Sequence, residues 1–116
     1  MLHWSPNMYL DADLAPKKKR YQKLLEKKKL TRPLYCITLP VNGQNIMEIY
    51  SSAELWFRWY QERELTVIGL AGSKEKAEML AAQICLDMIC REDDISPEIV
   101  HCYFENPDMM DHDHTL

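Results

Sequence analysis

The sequence predicts an α+β fold: a small antiparallel sheet packed against one long helix, with a basic helix in front. Three observations carry that prediction. Asn42-Gly43 stands between two apolar runs and is the strongest short hairpin signal, because both residues accept the positive φ of a two-residue turn. Residues 65–71 form an apolar run of strand length. Residues 74–91 place Ala77, Leu80, Ala81, Ile84, Cys85 and Met88 at helical spacing. The 116 residues suit a single domain and leave no room for separate catalytic and cofactor domains. No uncharged apolar run reaches the roughly 18 residues of a membrane span.

Along the chain, residues 1–14 mix Trp4, Met8, Tyr9 and Leu10 with Pro6, Asn7, Asp11 and Asp13, and are expected to be an irregular arm. A helix is expected over 15–30. Asp13 is its candidate cap, Pro16 falls where a first-turn proline is tolerated, and Leu14, Tyr21, Leu24 and Leu25 share one side. Pro33 ends that helix. A hairpin over 34–50 follows, with strands at 34–40 and 45–50. Ser51 and Glu54 have capping-box spacing and predict a helix over 52–61, although Leu55, Phe57 and Trp59 also alternate as a strand would. After strand 65–71, Gly72-Ser73 turns the chain and Ser73 caps helix 74–91.

That helix is apolar nearly all round, since Met79, Ala82, Leu86 and Cys90 add to its core face. It is expected to need cover on more than one side, from the sheet and from the N-terminal helix or a second copy. An edge strand over 98–104 and a disordered acidic tail over 105–116 complete the reading, with 15–104 as the one domain.

Charge is segregated. Residues 17–32 hold nine basic residues and one acid, Glu26, for +8; the other 100 residues hold five basic and 17 acidic residues, for −12. From Glu92 onward there are eight acids and no Lys or Arg. The basic pole suits an external polyanion, or the acidic end of this chain or of another copy; the plain alternative is two solvated faces. Lys17, Lys18, Lys19, Arg20, Lys23, Lys27, Lys28 and Lys29 are the candidate nucleic-acid contacts, with Tyr21 as a stacking ring. Pro16-Lys17-Lys18-Lys19-Arg20 also resembles the core of a nuclear-import signal, which would imply import in a nucleated cell.

Other candidate chemistry is thin. The turn Gly69-Leu70-Ala71-Gly72-Ser73-Lys74 could seat an anion at a helix start, but it lacks P-loop and Gly-x-Gly-x-x-Gly spacing. No Cys-x-x-Cys occurs, and Cys85 and Cys90 lie about 140° apart round a helix, so no metal site is expected. His112 and His114, in the tail, suit at most incidental chelation. Cys36, His101 and Asp87 form a catalytic set only by force, and the pairs Asp11/Asp13 and Glu62/Glu64 look exposed. No catalytic residue and no cofactor is expected. Four cysteines without a secretory leader are expected to be reduced thiols of a cytoplasmic protein.

Trp56, Phe57, Arg58, Trp59 and Tyr60 place four aromatics in five residues, too many for the core side of one short element. They are the candidate protein-binding patch, although roofing a small core would also use them. The sequence thus predicts a non-enzymatic protein-interaction module of accessory or inhibitor type. Nucleic-acid binding by 17–32 is the alternative, an enzyme a third reading, and a homodimer through 74–91 a separate expectation.

Overall fold

The hairpin is present. In the computed structural model β2 (Tyr35–Thr38) and β3 (Glu48–Ser51) pair antiparallel, with Cys36 opposite Tyr50 and Ile37 opposite Ile49. The Asn42-Gly43 turn lies outside the described residues, which are 2–29, 32–40, 45–62, 64–92 and 96–105, with the side chains of 58–62, 92 and 105 also excluded. β4 (Leu65–Ala71) pairs antiparallel with β2, and a register shift leaves Ile68 as an extra residue between the Ile37–Gly69 and Thr38–Val67 pairs. The bulge lets Val67 and Leu70 join one core while Ile68 joins the other. Gly69 lies against Ile37, whose Cδ1 would come within 2.9 Å of an added Cβ.

Two elements depart from expectation. Residues 2–10 are not an irregular arm but strand β1 (Leu2–Leu10), parallel to β4 with Leu2 opposite Leu65 and Leu10 opposite Leu70. The sheet is therefore mixed, in the order β1-β4-β2-β3. Between Trp4 and Tyr9 the register shifts, so that Ser5, Pro6, Asn7 and Met8 stand against Ile68 alone. That bulge erases the alternation by which a strand is read, and the proline is tolerated because β1 is an edge.

The expected edge strand 98–104 is helix α4 in this fold; the preceding helices are α1 (Lys18–Glu26), α2 (Ser52–Glu62) and α3 (Lys74–Glu92), and α4 spans Pro97–Glu105. Ser96 caps α4, its Oγ accepting from the Ile99 amide at 3.2 Å, and Pro97 fills the first turn. Ile99, Val100, Tyr103 and Phe104 recur at helical spacing. At the other end, Ser5 Oγ donates to the Phe104 carbonyl (2.9 Å) and Asn7 Nδ2 to that of Tyr103 (3.1 Å), so the β1 bulge caps the last turn of α4.

The remaining caps follow the sequence closely. The Ser51 amide donates to Glu54 Oε1 and the Glu54 amide to Ser51 Oγ, a reciprocal capping box at the start of α2. Ser73 Oγ accepts from the Lys76 amide at the start of α3. Asp13 caps nothing. The basic helix begins as a 3-10 turn over Ala15–Lys17 with no side-chain cap, and α1 is shorter than the expected 15–30.

Helices cover both faces of the sheet. On the first, Leu25 of α1 and Leu55 of α2 close over Cys36, Leu65, Val67 and Leu70. On the second, Ile84 and Met88 of α3 and Val100 and Phe104 of α4 close over Ile37 and Ile68. Burying each such side chain contributes about 1.5–3 kcal/mol. α1 and α3 are thus separated by the sheet, and α1 cannot supply the extra cover that α3's composition asks for.

Candidate functional site

The end of α1 shapes the basic region. The amides of Lys28 and Lys29 donate to the carbonyls of Leu25 and Leu24, at 3.1 and 3.0 Å, and Lys28 takes φ 56°. This is a Schellman turn with lysine at the left-handed position that glycine usually fills. It reverses the chain, so that Lys29 and Arg32 come back beside Lys17 and Arg20. Together with Tyr21 and Leu24 they line a cleft of about 550 Å³, floored by Leu14, Pro33 and Leu34 and edged by Asp13 and Gly72. Trp56 Nε1 donates to the Leu25 carbonyl (2.9 Å) and so pins the same helix end from α2.

Lys17, Lys18, Lys19, Arg20, Lys23, Lys27, Lys29 and Arg32 have no ion-pair partner among the described residues. Glu26, the one acid of the segment, accepts from Trp4 Nε1 at 3.1 Å. Glu98, the described acid of the C-terminal stretch outside α3, sits on α4 across the sheet. Pairing of the basic segment with its own acidic end is not seen among the described residues.

The aromatic segment divides. Trp56 is half-buried against the first core and Phe57 is 63% exposed, while the side chains of Arg58, Trp59 and Tyr60 lie outside the described residues. A second apolar surface lies on the far side of the sheet. Met79, Leu86 and Ile89 of α3 are 72%, 57% and 46% exposed, and with the exposed Ala82 they recur at three- and four-residue steps along one stripe.

The Gly72 turn, a candidate anion seat, is filled by the chain's own Asp11. Its Oδ2 accepts from the Gly72 amide (3.1 Å), its Oδ1 from the Asp13 amide (2.9 Å), and Lys76 Nζ stands 3.6 Å away while bonding Asp13 at 2.6 Å. Burial opposes the charge on Asp11, but the two amides and the ammonium outweigh it and hold its carboxyl below the ordinary range. Asp11 and Asp13 are therefore a structural clasp between the end of β1 and the start of α3.

The set Cys36, His101 and Asp87 is not brought together. Cys36 is in the first core, where burial pushes its thiol up to about 12, while Asp87 and His101 lie on helices of the opposite face. Asp87 instead accepts from the Tyr9 hydroxyl and from Gln83 Nε2 (2.8 Å). Burial, then the bond to Asp87, raises the Tyr9 hydroxyl above its ordinary range. Tyr103 joins at 3.3 Å from Tyr9, and the Arg91 guanidinium lies 5.2 Å from the Tyr103 ring centre. Sequence reasoning missed this cluster because Tyr9 and Tyr103 belong to the two misread elements.

Among the described residues no three His, Cys, Asp or Glu side chains converge as metal ligands would, and no helix is long and apolar enough to cross a membrane. His112 and His114 lie outside the described residues, as does Glu62's side chain; Glu64 is exposed, 3.9 Å from His3 Nε2. The fold and these surfaces define a small three-layer α+β module with one basic face and one apolar helix face. No family model, curated protein or solved structure matches the chain.

Proposed function

We propose that this protein is a non-enzymatic interaction module, of accessory or inhibitor type, that docks on another protein through the outer stripe of α3. The observation that carries the reading is the exposure of Met79, Leu86 and Ile89 on a helix whose inner face already fills a core. A contiguous apolar stripe costs solubility unless something covers it, which is why such patches mark interfaces. A second copy of the chain is one such partner. The exposed Cys90 beside the stripe suits a reducing compartment, the cytoplasm.

A photo-crosslinking residue placed at Leu86, in cells of the source organism, is expected to capture a protein or a second copy. The same residue at His101, exposed on α4, serves as the reference. Equal yields from both positions would sink the reading. Light scattering separates the partners: twice the chain mass of 13.7 kDa identifies the second copy.

A second reading, nucleic-acid binding by the α1 face, is favoured by the eight cations that have no ion-pair partner among the described residues. Its signature is anisotropy with labelled DNA or RNA that falls steeply with salt and is lost when residues 17–20 and 27–29 become alanine.

A further inference from the structure

We propose that the cleft between α1 and the reversed segment behind its Schellman turn is a binding site for a nucleoside phosphate, the phosphate held by Lys17, Arg20, Lys29 and Arg32 and the base laid on Tyr21. Four cations converge here on one concavity with no carboxylate paired to any of them among the described residues. Asp13, the acid at the rim, already has its charge answered by Lys76 at 2.6 Å. Holding four like charges around one space is unfavourable until an anion enters it. Two of them are arginines, whose planar forks match phosphate oxygens two at a time.

The cations alone would be content with inorganic phosphate. The floor asks for more. Leu14 and Leu34 are buried, and Tyr21 is half-buried and packed on the first core, so its ring is held in place beside the charges. A flat apolar group attached to the phosphate covers this floor, and bases stack on aromatic rings of this kind. The volume of about 550 Å³ falls within the range of about 300–1,000 Å³ usual for small-ligand sites. The seat differs from a glycine-rich phosphate loop, because the nearby Gly72 amide is taken by Asp11 and the anion must be met by side chains. The site is independent of the α3 stripe, which lies across the sheet.

The shared chemistry is a phosphorylated nucleoside, free or as one unit of a single strand. Titrating ¹⁵N-labelled protein at low salt with adenosine 5′-monophosphate, adenosine, inorganic phosphate and a 5′-phosphorylated oligoadenylate tests it. Amide shifts confined to residues 13–34 and the Gly72 turn are expected, with the nucleotide binding about tenfold tighter than phosphate. Arg20→Ala/Arg32→Ala should weaken the nucleotide by about tenfold or more. Lys23→Ala/Lys27→Ala removes the same charge outside the cleft and should weaken it less than about threefold. Tyr21→Leu should erase the preference over phosphate.

Equal losses in the two double variants, no shifts with millimolar nucleotide, or tighter binding of an acidic peptide would each overturn the proposal. A tighter oligoadenylate identifies the strand as the source; equal affinities identify the free nucleotide. If the alanine pair unfolds, Arg20→Gln/Arg32→Gln and the wild-type shift map carry the same decision.

Discussion

On one face of the sheet α1 buries Leu25 and half-buries Leu24 and Tyr21, and apart from Gln22 everything else it presents to water is charged. On the other, α3 buries Ala77, Ile84 and Met88 and still shows water Met79, Leu86 and Ile89. Both helices satisfy the sheet, but only α1's apolar stripe is consumed in doing so. What is left over on α1 is charge, which answers to salt and to phosphate; what is left over on α3 is apolar area, which answers to neither. The two surfaces therefore suit different ligands and should fail independently.

The sharpest way to break the comparison is through the two cores. Phe104→Ala should cost about 3–5 kcal/mol and Leu25→Ala about 2–5 kcal/mol in chemical denaturation, since each side chain is fully buried. A Leu25→Ala cost below about 0.5 kcal/mol would mean that α1 is not docked, and the basic cleft would lose its frame.

Next comes the clasp that joins the ends of β1 and β4 beside that cleft. Asp11→Ala leaves the Gly72 and Asp13 amides without their acceptor and should cost about 1–3 kcal/mol. Because its native carboxyl titrates below the ordinary aspartate value of 3.8, its contribution is complete above that pH and is lost as pH falls through the native pKa. Denaturation of Asp11→Asn should accordingly lose less stability than wild type between neutral pH and the acid limb. Equal acid sensitivity would remove Asp11 as the source.

Lys28→Gly should stabilise by about 1 kcal/mol, because φ 56° is strained for lysine and free for glycine. A destabilised variant would mean that the turn is held by the lysine side chain rather than tolerated despite it. The smallest effect on stability is expected at the exposed stripe. Met79→Gln/Ile89→Gln should change unfolding free energy by less than about 0.5 kcal/mol and yet abolish crosslinking from a probe at Leu86. A large loss of stability there would show the stripe to be core.

Legibility in the sequence tracked the range of the cause. The Ser51–Glu54 box, the Ser73 cap, the hairpin and β4 are specified within a few neighbouring residues, and each was readable. The Ser96-Pro97 start of α4 and its helical spacing are equally local, but the β-branched and aromatic content of 99–104 reads as a strand. β1 had no local signal to weigh. Its bulge breaks the alternation, and its partner β4 begins more than 50 residues later. Of the candidate residues, the cations were legible as a cluster, while Trp56 looked like a surface anchor and is instead bonded to the end of α1.

Local chemistry was thus enough for the helix starts, the hairpin, the central strand and the separation of charge along the chain, because propensity, capping and periodicity act over one or two turns. Which face of the sheet each helix covers, the pairing of β1 with β4, the closing of four cations round Tyr21 and the exposure of α3's outer stripe depend on contacts between distant segments. Those contacts are decided by which arrangement buries the most apolar surface without stranding a polar group, and that balance exists only in the folded chain.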